Sequence, residues 1–340
     1  MVNEIPPVFS PTLANQIASG TQLDVVQAKT LMAEMLSGEL GDEAVSELLV
    51  AMNNRGYVAS ELVGFSEEML AQSIQVEGGS GVVDIVGTGG SAHAKKASIN
   101  VSTMASFVAA ASGVKIAKHG NRKASSTSGS FDFLEALGVS FSESASEIEM
   151  RLNAKGLAFV FARKFHPRLA AVTGARNALG VPTVFNLLGP LCNPVRPTGI
   201  VLGANSAQTA KLIAEVLAQK QVAHGLVLYG HDGIDEFSLA APTTVFEVDS
   251  HGIKEMTLEP ADVGLEVVEQ PLGGGPEENL RIFADLRAGE FTPATLLIAA
   301  NSGLASYVSG LADSMKHGVE MSLEVVGSGR LDNYVNSFLN

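Results

Sequence analysis

Between Val82 and Leu137 the chain runs twice through one pattern: a short apolar stretch, a glycine-bearing polar loop, and a helical stretch. The first apolar run, Val82–Val86, stops at Gly87-Thr88-Gly89-Gly90 and leads to a helical pattern over about 100–112. The second, Val114–Ala117, opens into a loop Lys118-His119-Gly120-Asn121-Arg122, which passes through Ser125–Gly129 into a helix over 131–137. Consecutive strand–loop–helix units belong to an α/β fold with a largely parallel sheet. Both loops then leave the carboxyl ends of their strands, where open α/β sheets bind ligands.

The loop chemistry favours an anion. Glycines let backbone N–H groups approach closely, and a helix N-terminus adds partial positive charge. Ser102 and Thr103 supply hydroxyls; Lys118 and Arg122 supply full charges. Neither a GxxxxGK[ST] phosphate loop nor a GxGxxG dinucleotide fingerprint is present.

With 340 residues, a net charge of −14 and 46% hydrophobic content, the chain reads as globular, with one large domain and a smaller one. So acidic a balance argues against a nucleic-acid surface and for a focused small-anion site. The single cysteine, Cys192, rules out an intrachain disulfide and suits a reducing, cytoplasmic setting; it reads as a packing residue. The N-terminus lacks the pattern of a signal peptide, and no apolar stretch is long enough for a membrane span.

Apolar residues at three- and four-residue spacing, such as Val45, Leu48, Leu49 and Met52, make residues 1–75 a small helical domain. Thr21 reads as the cap of a helix over 23–36. The α/β domain covers 76–340, with helices from about 167–190 joining the helical one. Ser144 and Glu147 have capping-box spacing, Leu157–Phe161 is a strand, and a helix is expected over about 168–179. Further strands fall at 199–202 and 224–229, an antiparallel pair at 245–248 and 253–258, and helices at 277–286, 293–311 and 315–327 read as scaffold or interface.

Asp235-Glu236 follows strand 224–229 by a glycine-containing turn. Adjacent carboxylates there suit Mg²⁺, which takes oxygen ligands and bridges to substrate phosphates. His119 could move a proton or bond backbone, His166 sits at a helix start, and Arg176 lies mid-helix. The residues alone reach an α/β enzyme that handles a phosphorylated or pyrophosphorylated small molecule with Mg²⁺. They do not reach the acceptor.

The ordered set DIVGTGG (84–90), N-V-S-T (100–103), IAKHGNR (116–122), S-G-S (128–130), HP (166–167), R-x-x-L-G (176–180), FNLLGPLxNP (185–194) and DGIDE (232–236) resembles the anthranilate phosphoribosyltransferases. These belong to glycosyltransferase family 3 and share a fold with the class II nucleoside phosphorylases. The resemblance spans nearly the whole chain. It implies a helical domain plus an α/β domain, a homodimer, and Mg²⁺-dependent transfer of phosphoribose from 5-phosphoribosyl 1-pyrophosphate (PRPP) to the amine of anthranilate. By the same resemblance, Gly87, Thr88, Gly89, Gly90, Asn100, Ser102, Thr103, Lys118 and Ser128 hold PRPP. Ser102, Asp235 and Glu236 hold metal. Gly87, His119, Asn121, His166, Arg176 and Pro190 form the anthranilate side, Arg176 facing the carboxylate, with no dedicated acid or base.

The chain departs from the family pattern in two places. Ser91 stands where an Asp usually follows the glycines, in a lengthened loop that carries Lys95 and Lys96, and Thr127 replaces a usual Lys. One of the added lysines is expected to supply the cation missing at 127. Two alternatives share much of the pattern: a paralogue using another aromatic amine, and a pyrimidine nucleoside phosphorylase.

Overall fold

The computed structural model describes residues 8–89, 99–121, 129–139 and 144–340. The chain divides into two compact units, Met1–Gln75 with Ala162–Pro194, and Val76–Phe161 with Val195–Asn340. Among the described residues, no helix is long and apolar enough to cross a membrane.

The first unit is helical. Its leading segment forms helices Leu13–Ala18, Val25–Ser37, Gly41–Arg55 and Ala59–Ala71. Its second segment, wider than the 167–190 stretch read from the sequence, adds short helices Ala162–Phe165, Thr173–Leu179 and Val184–Leu188. The single helix expected over 168–179 is instead a 3-10 turn, Pro167–Val172, followed by an α-helix. The expected cap at Thr21 also moves. Asp24 caps Val25–Ser37, its Oδ1 accepting the Gln27 N–H at 2.8 Å while Gln27 Oε1 accepts the Asp24 N–H. The Thr21 carbonyl is taken by Arg55, whose guanidinium is paired with the fully buried Glu61. The two segments are tied through Asp42, which accepts the Ala175 N–H at 3.1 Å. A Cβ on Gly174 would stand 2.1 Å from Asp42 Oδ2, so only glycine leaves that approach open.

The second unit carries a seven-stranded sheet: β1 Val82–Gly87, β2 Lys115–Gly120, β3 Leu157–Phe161, β4 Gly199–Gly203, β5 His224–Gly230, β6 Thr243–Asp249 and β7 Gly252–Leu258. Their order is β3-β2-β1-β4-β5-β6-β7. The first five run parallel; β6 and β7 return antiparallel, as the hairpin reading expected. The order reverses between β1 and β4, which makes their carboxyl ends the switch point where such sheets open a ligand crevice. Gly87 and Gly203 are register partners there.

Helices Val101–Ser112, Pro293–Val308, Met315–Gly327 and Arg330–Leu339 pack on the sheet and on one another. Phe107 centres the core, with ring centroids of Phe159, Phe283 and Phe338 at 5.4, 5.2 and 5.3 Å. Burial of each such ring contributes roughly 1.5–3 kcal/mol, so this cluster anchors the helix that begins beside the candidate site. The final helix was not read from the sequence, although Leu331, Val335 and Phe338 are buried at helical spacing.

Candidate active site

Four parallel strands end in glycine: β1 at Gly87, β2 at Gly120, β4 at Gly203 and β5 at Gly230. Beyond β5 the chain turns through Asp232–Glu236 and brings Asp235 back across the β1 and β4 ends. A Cβ on Gly87 would lie 2.6 Å from Asp235 Oδ2, and one on Gly203 would lie 1.4 Å from the Asp235 carbonyl oxygen. Glycine at both ends is therefore a steric condition for Asp235 to sit where it does. Gly89, at φ +65°, turns its N–H onto Asp235 Oδ2 at 3.0 Å. The Thr88 N–H bonds the Gly203 carbonyl at 2.8 Å, and Asn205 Nδ2 donates to the Gly89 carbonyl at 3.4 Å. The glycine loop and the acidic turn thus form one structure.

The second predicted loop is not where the sequence put it. Lys118, His119 and Gly120 are the last residues of β2, paired with β3, and Lys118 and His119 are buried. The neighbouring strand accounts for this. Lys118 Nζ donates to the Ile85 carbonyl at 2.6 Å, and the His119 N–H donates to Asp84 Oδ1 at 3.2 Å. Burial holds the Lys118 ammonium down to about 8, against the pull of Asp84 and Glu236. Asp84, fully buried in β1, was not singled out from the sequence; an acid inside the run VVDIVG was the available signal.

Asn100 precedes helix Val101–Ser112, with Ser102 and Thr103 in its first turn. The Asn100 N–H is held at 2.8 Å by Asn279 Oδ1, from helix Pro276–Arg287. Thr103 Oγ1 is buried without a hydrogen-bond partner among the described residues. Asn121 follows β2 at the surface. Gly90, Ser91–Ser98, Arg122, Thr127 and Ser128 lie outside the described residues, so the lysine-bearing loop and Ser128 have no structural account.

The acidic turn tests whether a cation fits. Burial pushes the Glu236 carboxyl well above its ordinary 4.5; Asp235 and Asp232 push it the same way, and Lys118 opposes them. Asp235 and Glu236 are adjacent oxygen donors on one turn, and charge repulsion of this kind is what a bound cation would relieve. Among the described residues no group of three or more His, Cys, Asp or Glu side chains is arranged as a full metal cage. Mg²⁺ is characteristically held by one or two carboxylates plus substrate phosphates, so the residues fit that ion.

The remaining expected residues belong to the helical unit. Arg176 lies over the Phe185 ring at 4.9 Å, and burial holds its guanidinium below the usual arginine range. Among the described residues no carboxylate pairs with it. A half-buried, stacked arginine of this kind has the planar fork that can receive a carboxylate. His166 is buried, with Nε2 at 2.8 Å from the Cys192 carbonyl. Burial lowers the ring from its ordinary value, against hydrogen bonds to the Cys192 and Met69 backbones; a carbonyl only accepts, so Nε2 donates to Cys192. Pro190 is buried in the 3-10 turn Gly189–Leu191.

Two family descriptions match the chain: "Glycosyl transferase family, a/b domain" over residues 79–331 and "Glycosyl transferase family, helical bundle domain" over 11–73. The chain is 38% identical over 328 residues to the anthranilate phosphoribosyltransferase of Methanopyrus kandleri, covering 94% of this chain and 96% of that one. Its structure is similar to anthranilate phosphoribosyltransferase from Thermus thermophilus, with a TM-score of 0.88 at 37% identity, covering 96% of this chain and 98% of that one. It is also similar to the Saccharomyces cerevisiae enzyme in complex with PRPP and Mg, with a TM-score of 0.85 at 28% identity, covering 97% and 98%.

Proposed function

Since the chain belongs to the anthranilate phosphoribosyltransferases of this glycosyl transferase family, we propose that it transfers phosphoribose from PRPP to the amine of anthranilate. The C1′–O bond to pyrophosphate breaks and a C1′–N bond forms. The observation that carries this reading is the joining of the glycine loop to the acidic turn through Gly89 and Asp235. It supports the reading of the glycine loop as the phosphate side and Asp235 as the metal side of one site.

In this reading Gly87, Thr88, Gly89, Asn100, Ser102, Thr103 and Lys118 bind the phosphates, with Gly90 and Ser128 on the same substrate. Asp235 and Glu236, with Ser102, hold Mg²⁺, which when bound neutralises charge on the pyrophosphate leaving group. Lys118 is fixed at Nζ by the Ile85 carbonyl, so its charge is in place before substrate arrives. Arg176 takes the anthranilate carboxylate, and Gly87, His119, Asn121, His166 and Pro190 complete the acceptor side. No dedicated base is required, because the amine proton becomes acidic once the C–N bond forms. The two alternatives read from the sequence are not favoured by the relatives found.

The enzyme is further proposed to act as a homodimer in the cytoplasm; the use of one cysteine in 340 residues is in keeping with a reducing compartment. The direct test is loss of anthranilate fluorescence with PRPP and Mg²⁺, with EDTA as control. Metal-dependent loss is expected. Absence of turnover in protein that still binds PRPP would overturn anthranilate as the acceptor.

A further inference from the structure

The acidic turn poses a mechanical problem. Asp232, Asp235 and Glu236 repel one another, and a short loop free to move would swing its carboxylates apart. Part of the restraint is local. The Gly230 and Gly233 N–H groups bond the Ile234 and Gly230 carbonyls, and Ser238 Oγ donates to Asp232 Oδ2 at 2.8 Å. None of these bonds holds the backbone immediately after Glu236.

That restraint comes from Asn301, some sixty residues downstream in helix Pro293–Val308, which the sequence had marked only as scaffold or interface. Asn301 Oδ1 accepts the Phe237 N–H at 2.9 Å, and its Nδ2 donates to the Phe237 carbonyl at 3.1 Å. Nδ2 also donates to the Leu297 carbonyl at 2.9 Å, one turn back in its own helix. Since an N–H needs an acceptor and a carbonyl a donor, these partners allow the amide only one orientation. Asn301 is 3% exposed and Phe237 is fully buried, so water cannot take over these bonds. A side-chain amide that bonds both groups of one residue does what a neighbouring β-strand would do.

We propose that Asn301 is a positioning residue, whose carboxamide clamps the backbone of Phe237 and so holds Asp235 and Glu236 in the shape that receives a divalent cation. This rests on the reading of those two carboxylates as metal ligands. Loss of partners that orient metal ligands commonly weakens metal binding by ~10- to 100-fold, which is the effect expected for Asn301→Leu.

The test measures Mn²⁺ binding in the presence of PRPP by electron paramagnetic resonance, with melting temperatures recorded in parallel. Thr295→Val is the control. It removes buried bonds from the same helix, including Thr295 Oγ1 to the Glu290 carbonyl at 2.5 Å, and leaves the Phe237 clamp intact. The expected result is weakened Mn²⁺ binding in Asn301→Leu, an unchanged acceptor KM, and normal Mn²⁺ binding in Thr295→Val despite a lower melting temperature. Should Asn301→Leu not fold, Asn301→Asp decides by the same measure, since it keeps the acceptor for the Phe237 N–H and loses both donated bonds. Binding within about two-fold of wild type in the folded Asn301 variant, or equal weakening in Thr295→Val, overturns the proposal. If Asp235→Asn with Glu236→Gln leaves Mn²⁺ binding intact, the metal-ligand reading itself fails, and this proposal with it.

Discussion

Gly203→Ala isolates what the steric condition at the strand ends is worth. The added Cβ would stand 1.4 Å from the Asp235 carbonyl oxygen and 2.4 Å from its carbonyl carbon, where ordinary contact begins at 3.4 Å. Relief requires about 2 Å of movement, and the obstacle is backbone, so no side chain can rotate away. Overpacking typically costs ~1–3 kcal/mol, and a backbone clash belongs at or above the top of that range. The functional effect is larger, because the displaced residue is Asp235. A misplacement of ~1 Å can cost ~100-fold in rate, so kcat/KM for PRPP should fall by at least that factor. Two other glycines calibrate the series. In Gly87→Ala the Cβ meets only the end of the Asp235 side chain, at 2.6 Å, which can swing at the expense of the Gly89 bond. In Gly89→Ala nothing lies within 4 Å, and the strain is that of φ +65°, roughly 1–2 kcal/mol. The assay is steady-state anthranilate consumption against PRPP and Mg²⁺, with thermal melts on each variant. The expected order of damage is Gly203, then Gly87, then Gly89. A Gly203→Ala enzyme with wild-type kcat/KM would refute the steric reasoning, because Asp235 would then not need its observed place.

Arg176→Ala should raise the anthranilate KM by ~10- to 100-fold and leave the PRPP KM unchanged; Arg176→Lys should recover little, since an ammonium neither forks nor stacks alike. Above pH of about 8 free Lys118 loses its proton, so kcat/KM for PRPP should decline there, while kcat, measured with phosphates bound, should hold to higher pH. Lys118 acts on stability with the opposite sign. Its folded pKa lies below the unfolded 10.5, so its contribution rises with pH from about 8 to 10.5, and melts of wild type against Lys118→Met over that range would show it. His166 is likewise depressed when folded, so its stabilising contribution is full above 6.5 and is lost as pH falls below that; in an acid titration His166→Asn should lack this component.

The sequence carried local information well and non-local information poorly. Ser144 caps its helix with Glu147 as the spacing required, and β3 spans Leu157–Phe161 as expected, because both signals lie within a few residues. Lys118 and His119 read as loop because polar residues at a strand end suggest solvent. Their burial depends on Asp84 and the Ile85 carbonyl, more than thirty positions away on the adjacent strand. Thr21 looked like a cap until Arg55 and Asp24 competed for the roles. Asn279 and Asn301 had no signal at all. A single asparagine within a helix has the same local appearance whether it faces water or clamps a distant backbone. The glycine loop and the acidic pair were legible as a candidate site, but that Gly89 and Asp235 touch follows from strand order, which no local pattern encodes.

Both units are assembled from two separated stretches of chain, and this bears on how the protein is made. When residue 75 leaves the ribosome, four helices have emerged but the partner segment 162–194 has not. At typical synthesis rates the helices Val25–Ser37 and Gly41–Arg55, which pack against that segment, wait on the order of ten seconds for it. During that interval they are available to holding chaperones and vulnerable to misassociation. A fragment meant to carry the helical unit should therefore run through Pro194, and not stop after Gln75, where that unit ends only in appearance; such a fragment also carries the first three strands of the second unit, parted from the other four.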